Sequence, residues 1–200
     1  MALGRTVLAP ALPGFLERHP DIQLHLTLRD QVVDPVAEGL DVVVRMGPLG
    51  DSSLIARKLG QVHMVLAASP AYLRKHGRPR RPADLARHRC LSYLREGRPR
   101  PFRFQTGPTV QEIAVAGPCH ANDADVVRQA ALAGQGIVAL FDFVLAADLA
   151  RGALVPVLTD HPTLTWPVHA LYPRNRHLVP KVGVFLDFLT ALHRRDKTRA

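Results

Sequence analysis

Two hundred residues with 47% hydrophobic content can bury a full core as one large domain or two small lobes, and no apolar run approaches the ~20 residues of a membrane span. Cys90 and Cys119 form no C-x-x-C pair, which argues against a disulfide scaffold or a zinc site and for free thiols in a reducing cytoplasm. The formal charge is +9, yet eleven of the 26 lysines and arginines fall between Arg74 and Arg103, a proline-broken stretch that reads as solvated basic surface rather than a DNA-reading helix.

The opening MALGRTVLAP has too short an apolar segment for a secretory signal. Thr6 to His19 sets Leu8, Leu12, Phe15 and Leu16 on the stripe of an amphipathic helix, with Pro10 in its first turn and Pro13 an anomaly. DIQLHLTL alternates Ile22, Leu24, Leu26 and Leu28 with polar residues, as a strand with one buried face does. Asp30 is placed to cap a short helix over about 31–38 that presents Val32, Val33 and Val36 and stops at Gly39. DVVVRMG then reads as a buried parallel strand. SLIARKLG and QVHMVLAAS read as two strands, and SPAYLRKHG as a helix with Ser69 at its N-cap and Pro70 first inside.

The proline and arginine stretch reads as a weakly structured connection with a small helix at PADLARH. FRFQT and QEIAVAG are short strands separated by a Gly-Pro turn. DADVVRQAALAG is a helix with Val126, Ala130 and Ala133 on one face and Val127, Ala131 and Gly134 beside it, followed by GIVAL as a buried strand. FDFVLAADLARG reads as a helix ended by Gly152, and LVPVL and TWPVHALYP as strands. PKVGVFLDFLTALHRR closes the chain as a helix with Val182, Phe185, Leu189 and Leu192 on one side. No internal repeat or low-complexity tract occurs.

The G-x-G of AALAGQGIVAL has the spacing of a nucleotide loop but the wrong order. A phosphate loop runs strand, glycines, helix, so that helix-start N–H groups face the anion. Here a helix precedes the glycines, so Gly134 is a helix stop, and the end with free N–H groups is at Asn122 and Asp123.

Alternating strands and helices predict an α/β fold with parallel sheets, and breaks near Ser69 and Tyr172 divide it into two lobes. In such sheets ligands sit outside the carboxyl ends of strands. Four corners qualify: Arg29 with Asp30, Arg45 to Gly47, Ala68 with Ser69, and Asn122 with Asp123. Two carry an arginine able to grip a carboxylate with two hydrogen bonds, which suits a small organic anion; the plainer reading is that Asp30, Ser69 and Asn122 only cap helices. Enzyme signatures are absent: no G-x-S-x-G, no H-E-x-x-H, no P-loop. His63, His120 and Cys119 read as structural residues, and neither a metal nor a cofactor is called for.

The blocks LAPALPGFLERHPDIQLHLTLRD, VVDPVAEGLDVVVRMGPLGDSSLIARKL, VLAASPAYLRKHGRPRRPADLARHRCL, ANDADVVRQAALAGQGIVAL and HALYPRNRHLVPKVGVFLDFL resemble, in order and spacing, the effector-binding portion of LysR-type transcriptional regulators. The resemblance runs from about Gly4 to Leu192. It implies two Rossmann-like lobes with a cleft, a periplasmic-binding-protein-like fold of type 2. The lobes would be residues 1–67 with 173–200 and residues 68–172. A small-molecule effector would meet Arg29, Asp30, Arg45, Gly47, Ser69, Asn122, Asp123 and Phe141, the last standing where the family usually has proline.

The family's helix-turn-helix, through which DNA would be bound, is absent from these residues, as is the first strand of the first lobe, expected before Gly4. The resemblance further implies a homo-oligomer, dimer or tetramer, with dimers paired through the Thr6 to His19 and Asp123 to Gly134 helices. The alternatives are a stand-alone solute-binding protein of the same architecture and, more distantly, an enzyme.

Overall fold

The computed structural model describes residues 1–31, 33–176 and 179–196, with side chains through 192. Val32, His177, Leu178 and the last residues of the chain, all within segments interpreted above, lie outside the described residues. The helical elements are α1 (Leu12–Arg18), α2 (Pro70–His76), α3 (Ala124–Leu132), α4 (Asp142–Ala150) and α5 (Pro180–Asp196). The strands are β1 (Val43–Met46), β2 (Ile55–Ala68), β3 (Cys90–Arg95), β4 (Arg98–Pro99), β5 (Phe102–Thr106), β6 (Thr109–Ile113), β7 (His120–Ala121), β8 (Ile137–Phe141), β9 (Val155–Pro156) and β10 (Thr165–Tyr172). The chain divides into two compact units, Leu3–Val62 with Trp166–Ala200 and His63–Thr165.

In the first unit α1 is preceded by a π-turn over Gly4–Leu8 and a 3-10 turn over Ala9–Ala11, so the whole segment is helical. Pro10 and Pro13 cannot donate backbone bonds, and the ladder shifts to Ala9 N–H on Gly4 O and Leu12 N–H on Ala9 O around them. Phe15 is fully buried, its ring 5.6 Å from Phe185 and 4.6 Å from Phe188, which joins α1 to α5. Leu16, expected on the same stripe, is instead 39% exposed. On α5 the buried side chains among the described residues are Val182, Leu186 and Leu189.

Several expectations for this unit are corrected. Ile22–Leu28 is not a strand: the alternation survives as partial burial of Ile22, Leu24 and Leu28, but among the described residues no strand pairs with it, and Leu26 is 42% exposed. A period-2 pattern specifies a face and cannot supply a hydrogen-bonded neighbour. The helix capped by Asp30 is a single turn capped by Asp34, whose carboxylate accepts Val36 N–H at 2.9 Å and whose carbonyl accepts Glu38 N–H at 3.1 Å. Pro35 keeps Asp34 out of helical backbone, and Gly39 at φ +64° ends the turn. DVVVRMG does form β1, but its partner is the antiparallel β10, and its residues are half-buried.

In the second unit β8 is central, antiparallel to β2 and parallel to β3, and β3 also runs parallel to β7. Among the described residues the predicted parallel arrangement is seen for β3, β7 and β8. SLIARKLG and QVHMVLAAS are one 14-residue strand, β2, running through Gly60 without a turn. β3 lies inside the stretch expected to be weakly structured; Cys90 and Leu91 have no exposed surface and Ser92 is 1% exposed. Its arginines flank the apolar run, so composition averaged over the segment hides a core strand. Pro82–Arg87 forms a 3-10 helix, and β5 and β6 pair as a hairpin across Gly107, the second strand running over Thr109–Ile113 rather than the QEIAVAG expected.

α3 ends as predicted. Gly134 has φ +75°, its N–H meets Ala131 O, and Gln135 N–H meets Ala130 O, the paired closing bonds of a Schellman stop. On α3, Val127 and Ala131 are the buried face, and Val126 is 51% exposed. Arg128 reaches from α3 to Asp148 of α4 at 2.5 Å, and Arg151 reaches the same carboxylate at 2.6 Å. Asp148 has no exposed surface, so both guanidiniums are needed to hold its charge. Tyr72 is also buried. Its hydroxyl accepts Arg89 N–H at 2.9 Å and shares a hydrogen bond with His88 Nδ1 at 3.2 Å. Burial first, and His76 second, push the His88 pKa below its ordinary 6.5.

Two outcomes follow. Arg128→Met removes one of the two guanidiniums that hold the buried Asp148 charge and lowers unfolding free energy in urea by about 3 kcal/mol. For His88 the folded-state pKa is depressed, so its contribution is complete above the unfolded value and is lost as pH falls below about 6.5. The urea midpoint of the wild type therefore drops between pH 7.5 and 5, and drops less in His88→Asn.

Candidate functional site

Parallel pairing puts the carboxyl ends of β3, β7 and β8 on one edge of the second unit's sheet. Tyr93 pairs with Ala121, so Asn122 and Asp123 follow directly at that edge, and Phe141 is the last residue of β8. Asn122 and Phe141 are separated by no more than about two strand spacings, ~10 Å. β2 runs the other way and brings Met64, paired with Phe141, and His63 to the same place. His63 N–H donates to the Asp142 carboxylate at 3.3 Å, and its Nδ1 lies 3.1 Å from the Thr165 hydroxyl. The Phe141 ring stacks on Phe143 with centroids 5.6 Å apart and planes 11° from parallel. His63, Tyr93, Asp142 and Thr165 escape sequence reasoning because only strand direction and register gather them.

Ser69 does not share that edge. Ala67 pairs with Val138, which places Ser69 beyond the amino end of β8, about five residues or ~16 Å along the strand from Phe141. It is 4% exposed, its hydroxyl accepts Tyr72 N–H at 3.2 Å, and a Cβ on Gly134 would stand 3.4 Å from it, at the carboxyl end of α3. Ser69 is the cap of α2.

At the other end of α3 the cap is Asp123 rather than Asn122: its carboxylate accepts Asp125 N–H at 2.8 Å and Val126 N–H at 3.3 Å. Asn122 stands one residue outside and is exposed. The positive end of this helix is thus already met by a carboxylate of the chain, leaving the Asn122 amide as the group open to hydrogen bonding.

In the first unit Arg29 places both oxygens of Glu38 at 2.9 and 3.1 Å from its guanidinium, and Asp30 pairs with the terminal amine of Met1. Arg29 is thus engaged within the chain. Arg45 is half-buried, directly across from His169 in the β1–β10 register, and has no ion pair among the described residues. His169 Nδ1 is buried without a hydrogen-bond partner among them. Gly47 follows at φ +107°, its N–H on Pro167 O at 2.8 Å, and a Cβ there would press on the Trp166 ring at 3.2 Å. Both the backbone and the packing demand glycine.

An open depression of about 270 Å³ elsewhere in this unit is lined by Val36, Ser53, Leu54, Pro173, Arg174 and Asn175, and none of the residues selected from sequence lines it. No cluster of three metal-ligating side chains occurs among the described residues, and no helix among them is long and apolar enough to cross a membrane. Burial pushes the Cys90 thiol up to about 12, far from a nucleophile's range.

Known proteins agree on one family. Residues 1–194 match the LysR substrate binding domain. An HTH-type transcriptional repressor of Pseudomonas aeruginosa is 36% identical over 194 residues, covering 96% of this chain and 61% of its own length. CrgA, a LysR-type transcriptional regulator from Neisseria meningitidis, superposes with a TM-score of 0.86 at 32% identity over 96% of this chain and 66% of that one. Its regulatory domain alone gives 0.85, with 94% of that shorter chain covered. AphB, a Vibrio cholerae virulence activator, gives 0.84 at 32% identity, over 96% of this chain and 65% of its own. The chain spans about three fifths of the length of the curated relatives it matches. The mixed α/β architecture is that of the two-lobed regulatory domains of these proteins, of the type 2 periplasmic-binding-protein class, and the chain belongs to the LysR substrate binding domain family, the effector-binding portion of LysR-type transcriptional regulators.

Proposed function

We propose that this chain senses a small organic anion and passes the signal to an attached winged helix-turn-helix that regulates transcription from the bacterial cytoplasm. The family match over residues 1–194 carries this reading, since the relatives it gathers are named as regulators rather than as stand-alone solute-binding proteins. The two compact units, Leu3–Val62 with Trp166–Ala200 and His63–Thr165, act as the two regulatory lobes, with bounds a few residues from the 1–67 with 173–200 and 68–172 expected from sequence. Asn122 and Phe141, on the carboxyl edge of the parallel strands, contact the effector in the second lobe, and Asp123 serves as the cap of α3 beside them. Arg45 and Gly47 do so in the first, Arg45 supplying charge that no carboxylate of the chain matches among the described residues. Arg29 and Ser69 already have partners in the chain and serve mainly the fold. Binding chemistry rather than turnover fits this set, which lacks a nucleophile paired with a base.

Coupling needs only that effector bind one arrangement of lobes or subunits better than another. Pairing of two copies through α1 and α3 is supported by Leu16 and Val126, exposed apolar residues on these helices.

A screen of small carboxylates by thermal shift, followed by calorimetry on the strongest stabiliser, tests the assignment. Asn122→Ala weakens that ligand at least tenfold and leaves stability within about 0.5 kcal/mol. Ser69→Ala costs about 1 kcal/mol of stability and leaves affinity unchanged. The reverse pattern would return the site to Ser69. In sedimentation the chain runs as a dimer and Val126→Asp shifts it to monomer; a wild-type monomer at high concentration removes the α1–α3 pairing.

A further inference from the structure

The charge of this protein is not spread over it. Between Arg74 and Arg103 eleven basic residues face two acidic ones, Asp84 and Glu96, an excess equal to the +9 of the whole chain; the other 15 basic and 15 acidic residues cancel. All eleven but Arg100 are exposed. The structure adds a shape to this excess. Tyr72 of α2 stacks on His76 at 4.5 Å and bonds His88 and Arg89, so the two ends of the 74–89 segment meet at one buried ring.

The closed loop carries Arg74, Lys75, Arg78, Arg80, Arg81, Arg87 and Arg89 against Asp84 alone. Asp84 is consumed inside the loop. It accepts the N–H groups of Arg80 and Arg81 and pairs with the Arg81 side chain at 3.2 Å, contacts that hold its carboxyl below the usual range. Arg78 donates to the Pro156 carbonyl. Arg74, Lys75, Arg80 and Arg87 make no side-chain bond among the described residues.

We propose that the Arg74–Arg89 loop is a docking surface for a nucleic-acid phosphate backbone, giving this regulatory unit sequence-independent contacts with DNA of its own. Like charges crowded on one exposed loop repel one another, and a polyphosphate relieves that repulsion while releasing its counterions. Arginine predominates, and its planar fork matches phosphate oxygens in pairs. Such contacts fix position along a duplex without reading bases, so they complement a reading element located elsewhere. The surface does not depend on the effector assignment.

Fluorescence anisotropy with a labelled 20-base-pair duplex of arbitrary sequence tests it on the 200-residue chain. Binding is expected at 25 mM salt and falls steeply towards 200 mM. The quadruple variant Arg74→Gln, Lys75→Gln, Arg80→Gln and Arg87→Gln weakens it at least tenfold and flattens the log–log salt slope by up to about 3.6, at ~0.9 for each phosphate no longer neutralised. Arg103→Gln, whose side chain pairs with Glu112 at 2.7 Å outside the loop, binds as wild type. Circular dichroism confirms that each variant is folded. No binding by the wild type at low salt, an unchanged slope in the quadruple variant, or equal competition by polyglutamate charge for charge overturns the assignment. The last outcome would make the partner an acidic protein surface.

Discussion

Around Cys90 three stretches of backbone approach more closely than a side chain would permit. A Cβ on Gly136 would collide with the carbonyl of Arg89, and one on Gly117 with the carbonyl of Cys90 itself. The glycines therefore let Ile137 N–H reach Arg89 O and Cys90 N–H reach Ala116 O, each at 2.8 Å. Those bonds align β3 with β8 on one side and with the segment leading to β7. Everything at the carboxyl edge inherits that alignment. If β3 slipped by one residue, Cys90, Leu91 and Ser92 would exchange faces and Asn122 would no longer stand level with Phe141.

The same unit shows how a modest helix pair is held in place by charge. α3 and α4 are each nine residues long, and Asp148 lies wholly buried with Arg128 and Arg151 around it. The arrangement is costly to break and adds little over an apolar contact when intact, so its value lies in specifying one packing of α3. That helix begins at the Asp123 cap and ends against Ser69. Its orientation thus sets which polar groups reach the functional edge and which are consumed in the scaffold.

Much of this was legible in the residues. The Ser69–Pro70 start of α2, the Gly134 stop and the Gly152 stop are local devices whose chemistry is complete within a few positions. The family-level pattern likewise needed only ordered blocks. What could not be read depends on partners distant in sequence. β3 was concealed by the arginines around it, Ile22–Leu28 has the right alternation and no ladder, and Asp34 took the cap expected of Asp30 because of a proline one residue on. The candidate site divides on the same line: Asn122 and Phe141 come together through strand direction, whereas Arg29 and Ser69 turn out to have been satisfied by Glu38 and Tyr72.

The unpaired alternation of Ile22–Leu28 has a kinetic corollary. Local opening energies in a protein range from near zero to the global unfolding energy, according to how many hydrogen bonds and apolar contacts must break together. Among the described residues the amides from Gln23 to Leu28 have no ladder partner, and so no such bond to break. In deuterium this stretch should take up label without waiting for the sheet, while Cys90, Leu91 and Ile137 keep their protons until the second unit unfolds as a whole. A regulatory domain built this way is not uniformly rigid, and its least protected backbone follows directly on its aromatic-packed first helix.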